Sequence, residues 1–286
     1  MNATPIGLKP KLFFLALALF ALSPLHADEA AAIAALTAKG VEINKSADGK
    51  ATRLMVKDGK SLSAADFALI GQLTTLEQMG INGAALADSE WGFLKSLPKL
   101  KTLSIWHGHG FSTLEPFSGL PVESLTVGGC MGLRDKNRDD PEKLRHAIKT
   151  LHDLPNLKKG NWYHSPLIPD DSHLAHIAAQ FPKLEDLRLD FAAPRGSKTT
   201  ITPAGLSALQ TLPLHTLSLE NAHSFTAEHF KAVAGIKTLK SLLIDARKQA
   251  VDEEALATFR AARPDVAVAM SKPGDKTPPA LPKANK

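Results

Sequence analysis

Apolar residues recur along this chain at a fixed spacing. Leu73, Leu76, Met79 and Ile81 stand at intervals of three, three and two, and Leu97, Leu100, Leu103 and Ile105 repeat them 24 positions later. The same frame returns at Phe181, Leu184, Leu187 and Leu189 and at Ile236, Leu239, Leu242 and Ile244. Two copies lack one residue in the first gap: Leu120, Val122, Leu125, Val127 and Leu212, Leu214, Leu217, Leu219. A weakened copy reads Leu154, Leu157, Gly160, Trp162, with a half copy (Leu54, Val56) before the series and a last one (Val266, Val268) after it.

The closing pair of each copy has period two, which turns both apolar side chains of a short strand to one side. The leucines spaced by three bend into the same interior. Helix starts follow the strands. Thr202-Pro203-Ala204-Gly205-Leu206 offers an N-cap with proline in the first turn. Ser63, Thr226 and Asp252 open similar segments. Strand, turn and helix every 22–35 residues predict stacked units, each packed on its neighbours. The Ala-rich stretch from Asp28 to Lys39, with Ile33 and Leu36 at helical spacing, is expected to cap the open end.

Two segments carry a family likeness. Thr202-Pro203-Ala204-Gly205-Leu206-Ser207-Ala208-Leu209 is similar to the T-D-A-G-L-x-x-L helix starts of bacterial exported leucine-rich-repeat proteins, and Val251–Val268 looks like that family's closing unit. The likeness covers about residues 50–270. It implies an α/β leucine-rich-repeat solenoid, a horseshoe arc with a parallel sheet on the concave side and helices on the convex side. It says little about function, because one fold serves many. The chain departs from the family where Asn or Cys is common, nine places into the repeat. Ala84, Gly108, Cys130, Ser165, Ala192 and Ala222 stand there, so no asparagine ladder is expected.

The ends differ from the body. Lys9 and Lys11 precede the apolar run Leu12–Leu22, and Ser23-Pro24 breaks it ahead of Ala27. That pattern predicts a signal peptide over 1–27 and export to the periplasm or beyond the cell. The expected units are then an N-terminal helical cap over 28–50, the repeats over 51–270 and a Pro/Lys-rich disordered tail over 271–286. Two insertions, Arg134–Pro141 and Ala193–Lys198, lengthen the repeats around them.

Composition then narrows the chemistry. The formal charge is +5, but the basic residues of the two ends account for it and the body is near neutral. A basic nucleic-acid face is therefore not expected. Aromatic content of 6% predicts an aliphatic core. The single cysteine, Cys130, excludes an internal disulfide and thiolate zinc clusters, and reads as a buried small residue. No transmembrane segment is expected in the mature chain and no cofactor is implied.

Candidate contact residues lie between and just after the strand leucines, on the side away from the core. Trp106, Tyr163 and Arg188 fall there, with His107, His164, Asp190, Phe191 and Glu220 at the strand ends. Aromatic and Arg side chains are what binding hot spots favour. Three functions stay open. A non-catalytic scaffold would hold a protein or peptide, or an envelope glycan, on the concave face. A structural envelope component would need no specific ligand there. A metal-assisted hydrolase would use His107, His109 and His164.

Overall fold

The computed structural model describes residues 29–83, 86–137, 139, 147–164, 170–190, 201–220, 225–246, 251–277 and 279–280. The expected signal peptide, the Ala193–Lys198 insertion and positions 138, 140 and 141 of the Arg134–Pro141 loop lie outside them.

The fold is α/β. Ten strands form one sheet in strict sequence order. They are β1 (Glu42–Lys45), β2 (Ala51–Val56), β3 (Gln78–Asn82), β4 (Thr102–Trp106), β5 (Ser124–Gly128), β6 (Lys159–Tyr163), β7 (Asp186–Asp190), β8 (Thr216–Glu220), β9 (Ser241–Asp245) and β10 (Ala267–Met270). All pairings from β2 onward are parallel. The N-terminal cap is not purely helical. After helix α1 (Glu29–Ala38), β1 runs antiparallel to β2 and covers the edge of the sheet with backbone hydrogen bonds. Glu29 locks this cap. Its Oε1 accepts from the Ala51 N–H at 3.0 Å and from the Thr75 hydroxyl at 2.9 Å, and Lys50 lies 3.2 Å from Oε2. Burial pushes its carboxyl up, yet the donors of Ala51, Thr75 and Lys50 outweigh this and hold it below the usual range.

Helices join the strands where the N-cap signals stand. They are α2 (Ala64–Ile70), α4 (Asp171–Gln180), α5 (Pro203–Ser207), α6 (Ala227–Ala234) and α7 (Glu253–Ala262), with N-caps Ser63, Asp170, Thr202, Thr226 and Asp252. A single turn, α3 (Gly132–Asp135), follows β5. The connections after β3 and β4 use 3₁₀ turns, Asp88–Ser96 and Glu115–Phe117.

In register, Met79, Leu103, Leu125, Gly160, Leu187, Leu217 and Leu242 form one column across the sheet, with Ile81, Ile105, Val127, Trp162, Leu189, Leu219 and Ile244 beside it. Apart from Gly160, each of these is at least 98% buried. The core is not purely aliphatic, however. Trp91, Phe111 and Phe117 meet edge to face with centroids 5.0–5.7 Å apart, and Trp162 packs near Phe181. Sixteen aromatic residues are few, but most of their rings are spent inside, where each buries more apolar area than a leucine. Cys130 is fully buried, and burial pushes its thiol up to about 12, as an inert core residue.

A ladder of backbone carbonyls takes up the turn N–H groups ahead of the strands. Glu77 O accepts from Lys101 and Thr102, Lys101 O from Glu123 and Ser124, and Glu123 O from Lys158 and Lys159. Lys158, Glu185, His215 and Lys240 continue the series. Opposite charges alternate along this edge, with Lys101–Glu77 at 3.2 Å and Lys158–Glu123 at 3.0 Å. At the far end Arg263 ties the last unit to the one before it. Its guanidinium donates to the carbonyls of Ala234, Ile236 and Leu239 at 2.9–3.0 Å and pairs with Asp265 at 2.8 Å.

Candidate functional site

Alternation along each strand sends one set of side chains outward, opposite the helices. The middle row reads Gly80, Ser104, Thr126, Asn161, Arg188, Ser218, Leu243, in register from β3 to β9. The row toward the strand starts reads Thr102, Ser124, Lys159, Asp186, Thr216, Ser241. The row toward the strand ends reads Asn82, Trp106, Gly128, Tyr163 and then, across β7 to β9, Asp190, Glu220, Asp245. Hydroxyl, amide and charged groups dominate this face.

Two rings, Trp106 and Tyr163, stand in the row toward the strand ends. Each lies down beside a glycine. A Cβ on Gly128 would sit 2.3 Å from Cζ of Tyr163, and one on Gly80 would sit 3.2 Å from Cζ3 of Trp106. The rings thus use space that any larger residue would fill. Trp106 shares its place with Met55, whose Sδ lies 2.7 Å from the same imagined atom. Tyr163 instead carries the Arg188 guanidinium, 4.6 Å above its ring centroid.

Arg188 also pairs with Glu220 on β8, whose side chain is only 7% exposed. Glu220 is therefore not an open contact residue as the sequence suggested. It is the buried counter-charge that orients Arg188, which remains 35% exposed. Only one of its oxygens is used. Glu220 Oε2 and Asn161 Oδ1 are buried without a hydrogen-bond partner among the described residues. A buried acceptor left unpaired costs free energy, and a ligand bearing a donor relieves it. Beside them, Lys159 pairs with Asp186 at 3.0 Å.

These groups line a cleft of about 460 Å³ running over β5 to β9, within the roughly 300–1,000 Å³ typical of small-ligand sites. The lining includes Thr126, Asn161, Arg188, Thr216, Ser218, Glu220 and Leu243, and also Pro279 from the C-terminal segment. The chain matches no protein-family model and no curated protein.

His107 and His164 are exposed and occupy matching places after β4 and β6 with φ of +52° and +50°. Gly129 holds the equivalent place after β5 with φ of +62°. The strand ends thus demand a left-handed residue, and two are histidines. Among the described residues, no group of three or more His, Cys, Asp or Glu side chains is placed to hold a metal, so His107, His109 and His164 form no such group. Phe191 lies outside the described residues, and Asp190 is placed by its β7 backbone alone.

Ser241 and Asp245 of β9 also point outward, yet they are 5% and 4% exposed, and Leu243 between them is 8% exposed. The β9 end of the face is covered. The signal was present in Leu242-Leu243-Ile244, where an apolar residue replaces the polar one that alternation requires. No helix among the described residues is long and apolar enough to cross a membrane.

Proposed function

We propose that this protein is an exported, non-catalytic binding scaffold of leucine-rich-repeat type, which recognises a protein or peptide segment on the outward face of its sheet. Ten strands in sequence order and the leucine-rich column, interrupted at Gly160, support the repeat reading. The observation that carries the functional reading is the Tyr163–Arg188–Glu220 assembly at the cleft. Arg188 is held between a ring and a buried carboxylate, so little side-chain entropy remains to be lost on binding. A pre-ordered, partly exposed guanidinium beside a polar cleft is suited to recognition rather than to packing.

The test is affinity capture with the full mature chain from its native envelope, followed by titration of the captured partner. Trp106→Ala and Tyr163→Ala, each with its melting temperature checked, are expected to weaken the partner at least tenfold. Unchanged affinity in both variants would remove the outward face from the function and leave a structural envelope role as the better account.

A further inference from the structure

The C-terminal segment does not leave the sheet. Ser271, directly after β10, donates its N–H to Ile244 O at 3.0 Å and its hydroxyl to Asp245 Oδ1 at 2.8 Å. The Ala246 N–H returns a bond to the Ser271 hydroxyl at 2.8 Å. A turn follows at once, with Asp275 N–H bonded to Lys272 O at 3.1 Å and Gly274 at φ +93°, a conformation that other residues rarely adopt. The Asp275 carboxylate accepts from the Lys272 N–H at 2.7 Å and fixes the turn. From Lys272 through Thr277 every residue is exposed, as is Ala280, yet Pro279 is half-buried. It lies in the cleft with Thr216, Ser218, Leu243 and Arg188. Leu243 is the one large apolar side chain in the outward middle row from β4 to β9, and Pro279 lines the same cleft.

We infer that the cleft is a docking site for an extended, proline-bearing peptide segment, and that the chain's own tail is its resident occupant. This rests on the reading of the face as a binding surface and names what that surface takes. Proline suits such a site, because its fixed φ lowers the entropy lost on docking. It also has no N–H. Pro279 therefore borders the apolar corner at Leu243 while Glu220 Oε2 and Asn161 Oδ1 stay unpaired among the described residues. A partner segment that sets N–H or O–H donors against those oxygens makes contacts that Pro279 cannot, and so competes with the tail from a favourable position.

The experiment compares the mature full chain with a chain ending at Asp275, which keeps the Ser271 anchor and the turn. Calorimetric titration uses a synthetic peptide of residues 276–286. Measurable binding to the shortened chain is expected, with at least tenfold weaker binding to the full chain. A Pro279→Asp peptide is expected to bind the shortened chain at least tenfold more weakly than the native peptide. Absence of peptide binding to the shortened chain, equal affinity for both chains, or indifference to Pro279→Asp would each overturn the inference. A shortened chain with a lowered melting temperature is replaced by full-length Pro279→Asp, which should gain peptide binding in the same way. The capture titration with Trp106→Ala uses a different probe, so loss of the tail contact and loss of the proposed function are read separately.

Discussion

Gly160 makes the space that the Trp162 indole fills. A Cβ on Gly160 would lie 3.0 Å from two carbons of the ring, tighter than side chains normally pack. The pair holds the column positions where other strands carry Leu with Val, Leu or Ile. What reads in sequence as a weakened repeat is an exchange of volume between neighbours. Gly160→Leu is therefore expected to destabilise by about 1–3 kcal/mol through overpacking. Trp162→Val is expected to cost on the order of 3 kcal/mol through the cavity it leaves. The double variant restores the common pattern and should be closer to the native stability than either single one. Urea unfolding of the four proteins measures the coupling, and additive losses would refute the exchange.

This pair marks how far the sequence was legible. Period two located β2 to β10 because most of these strands bury one face, and burial selects the residue type at every second position. β1 escaped because Glu42–Lys45 buries almost nothing and is held by backbone bonds. The 3₁₀ turns at Asp88–Ser96 and Glu115–Phe117 escaped because aromatic contacts among Trp91, Phe111 and Phe117 arrange them, and such contacts leave no period. At the cleft, the outward residues were legible one by one. The pairing of Arg188 with Glu220 across two strands was not, because it depends on register. The return of the tail was least visible of all. It hangs on Ser271 and Pro279 within a composition that otherwise reads as solvated.

Arg263 ties the last unit to the one before it. Its side chain is 12% exposed and donates to three carbonyls, that of Ile236 in addition to the Leu239 N–H. Arg263→Ala should cost about 3 kcal/mol, since charged hydrogen bonds to buried acceptors are lost together. Arg263→Lys should recover less than half of that, because an ammonium cannot match the planar fork. The urea midpoint should fall with an unchanged slope. A loss within about 0.5 kcal/mol, the range of ordinary surface substitutions, would show that water serves these carbonyls equally well.

Removing one member of the Arg188–Glu220 pair should hurt more than removing both. Arg188→Ala leaves the Glu220 carboxylate buried without its counter-charge, at a cost of about 2 kcal/mol after allowance for the partial exposure of Arg188. Arg188→Met with Glu220→Leu replaces the pair by apolar groups of similar length and is expected to lie nearer the native stability. A double-mutant cycle by chemical denaturation decides the matter. If the apolar pair is the least stable of the set, the ion pair is a net stabiliser rather than a device for orienting Arg188.

Acid should loosen the N-terminal cap first. Asp66 accepts from Lys39 Nζ at 2.7 Å and from the Ser63 N–H and hydroxyl, both at 2.7 Å, within a capping box at the start of α2. The Lys39 ammonium first, and then Ser63, hold its carboxyl down to about 2, against an ordinary value of 3.8. A carboxyl lowered on folding adds stability that is complete above its unfolded value and disappears as the pH falls through its folded one. Its contribution is therefore present at neutrality and fades between about pH 4 and pH 2. Asp66→Asn should lower the melting temperature by several degrees at pH 7, and the gap from the native chain should shrink toward pH 2. A gap independent of pH would place the effect in packing.

His107 and His164 hold a backbone conformation that Gly129 adopts without strain at the matching place. A left-handed non-glycine residue costs on the order of 1 kcal/mol, and such costs persist where the side chain is needed or the surroundings enforce them. The surroundings do enforce the backbone here. The His107 N–H reaches Gly128 O at 3.1 Å, as the Gly129 N–H reaches Tyr163 O at 3.1 Å, so the turn is the same with either residue. The imidazoles themselves are exposed beside Trp106 and Tyr163. His107→Gly and His164→Gly should therefore raise stability by up to about 1 kcal/mol each, since relief of strain exceeds the added freedom of the unfolded chain. If these rings also contact the partner, the same variants weaken its binding while they stabilise the fold. Opposite signs in the melting temperature and the partner titration would assign His107 and His164 to recognition. Stabilisation with unchanged affinity would leave them as tolerated turn residues.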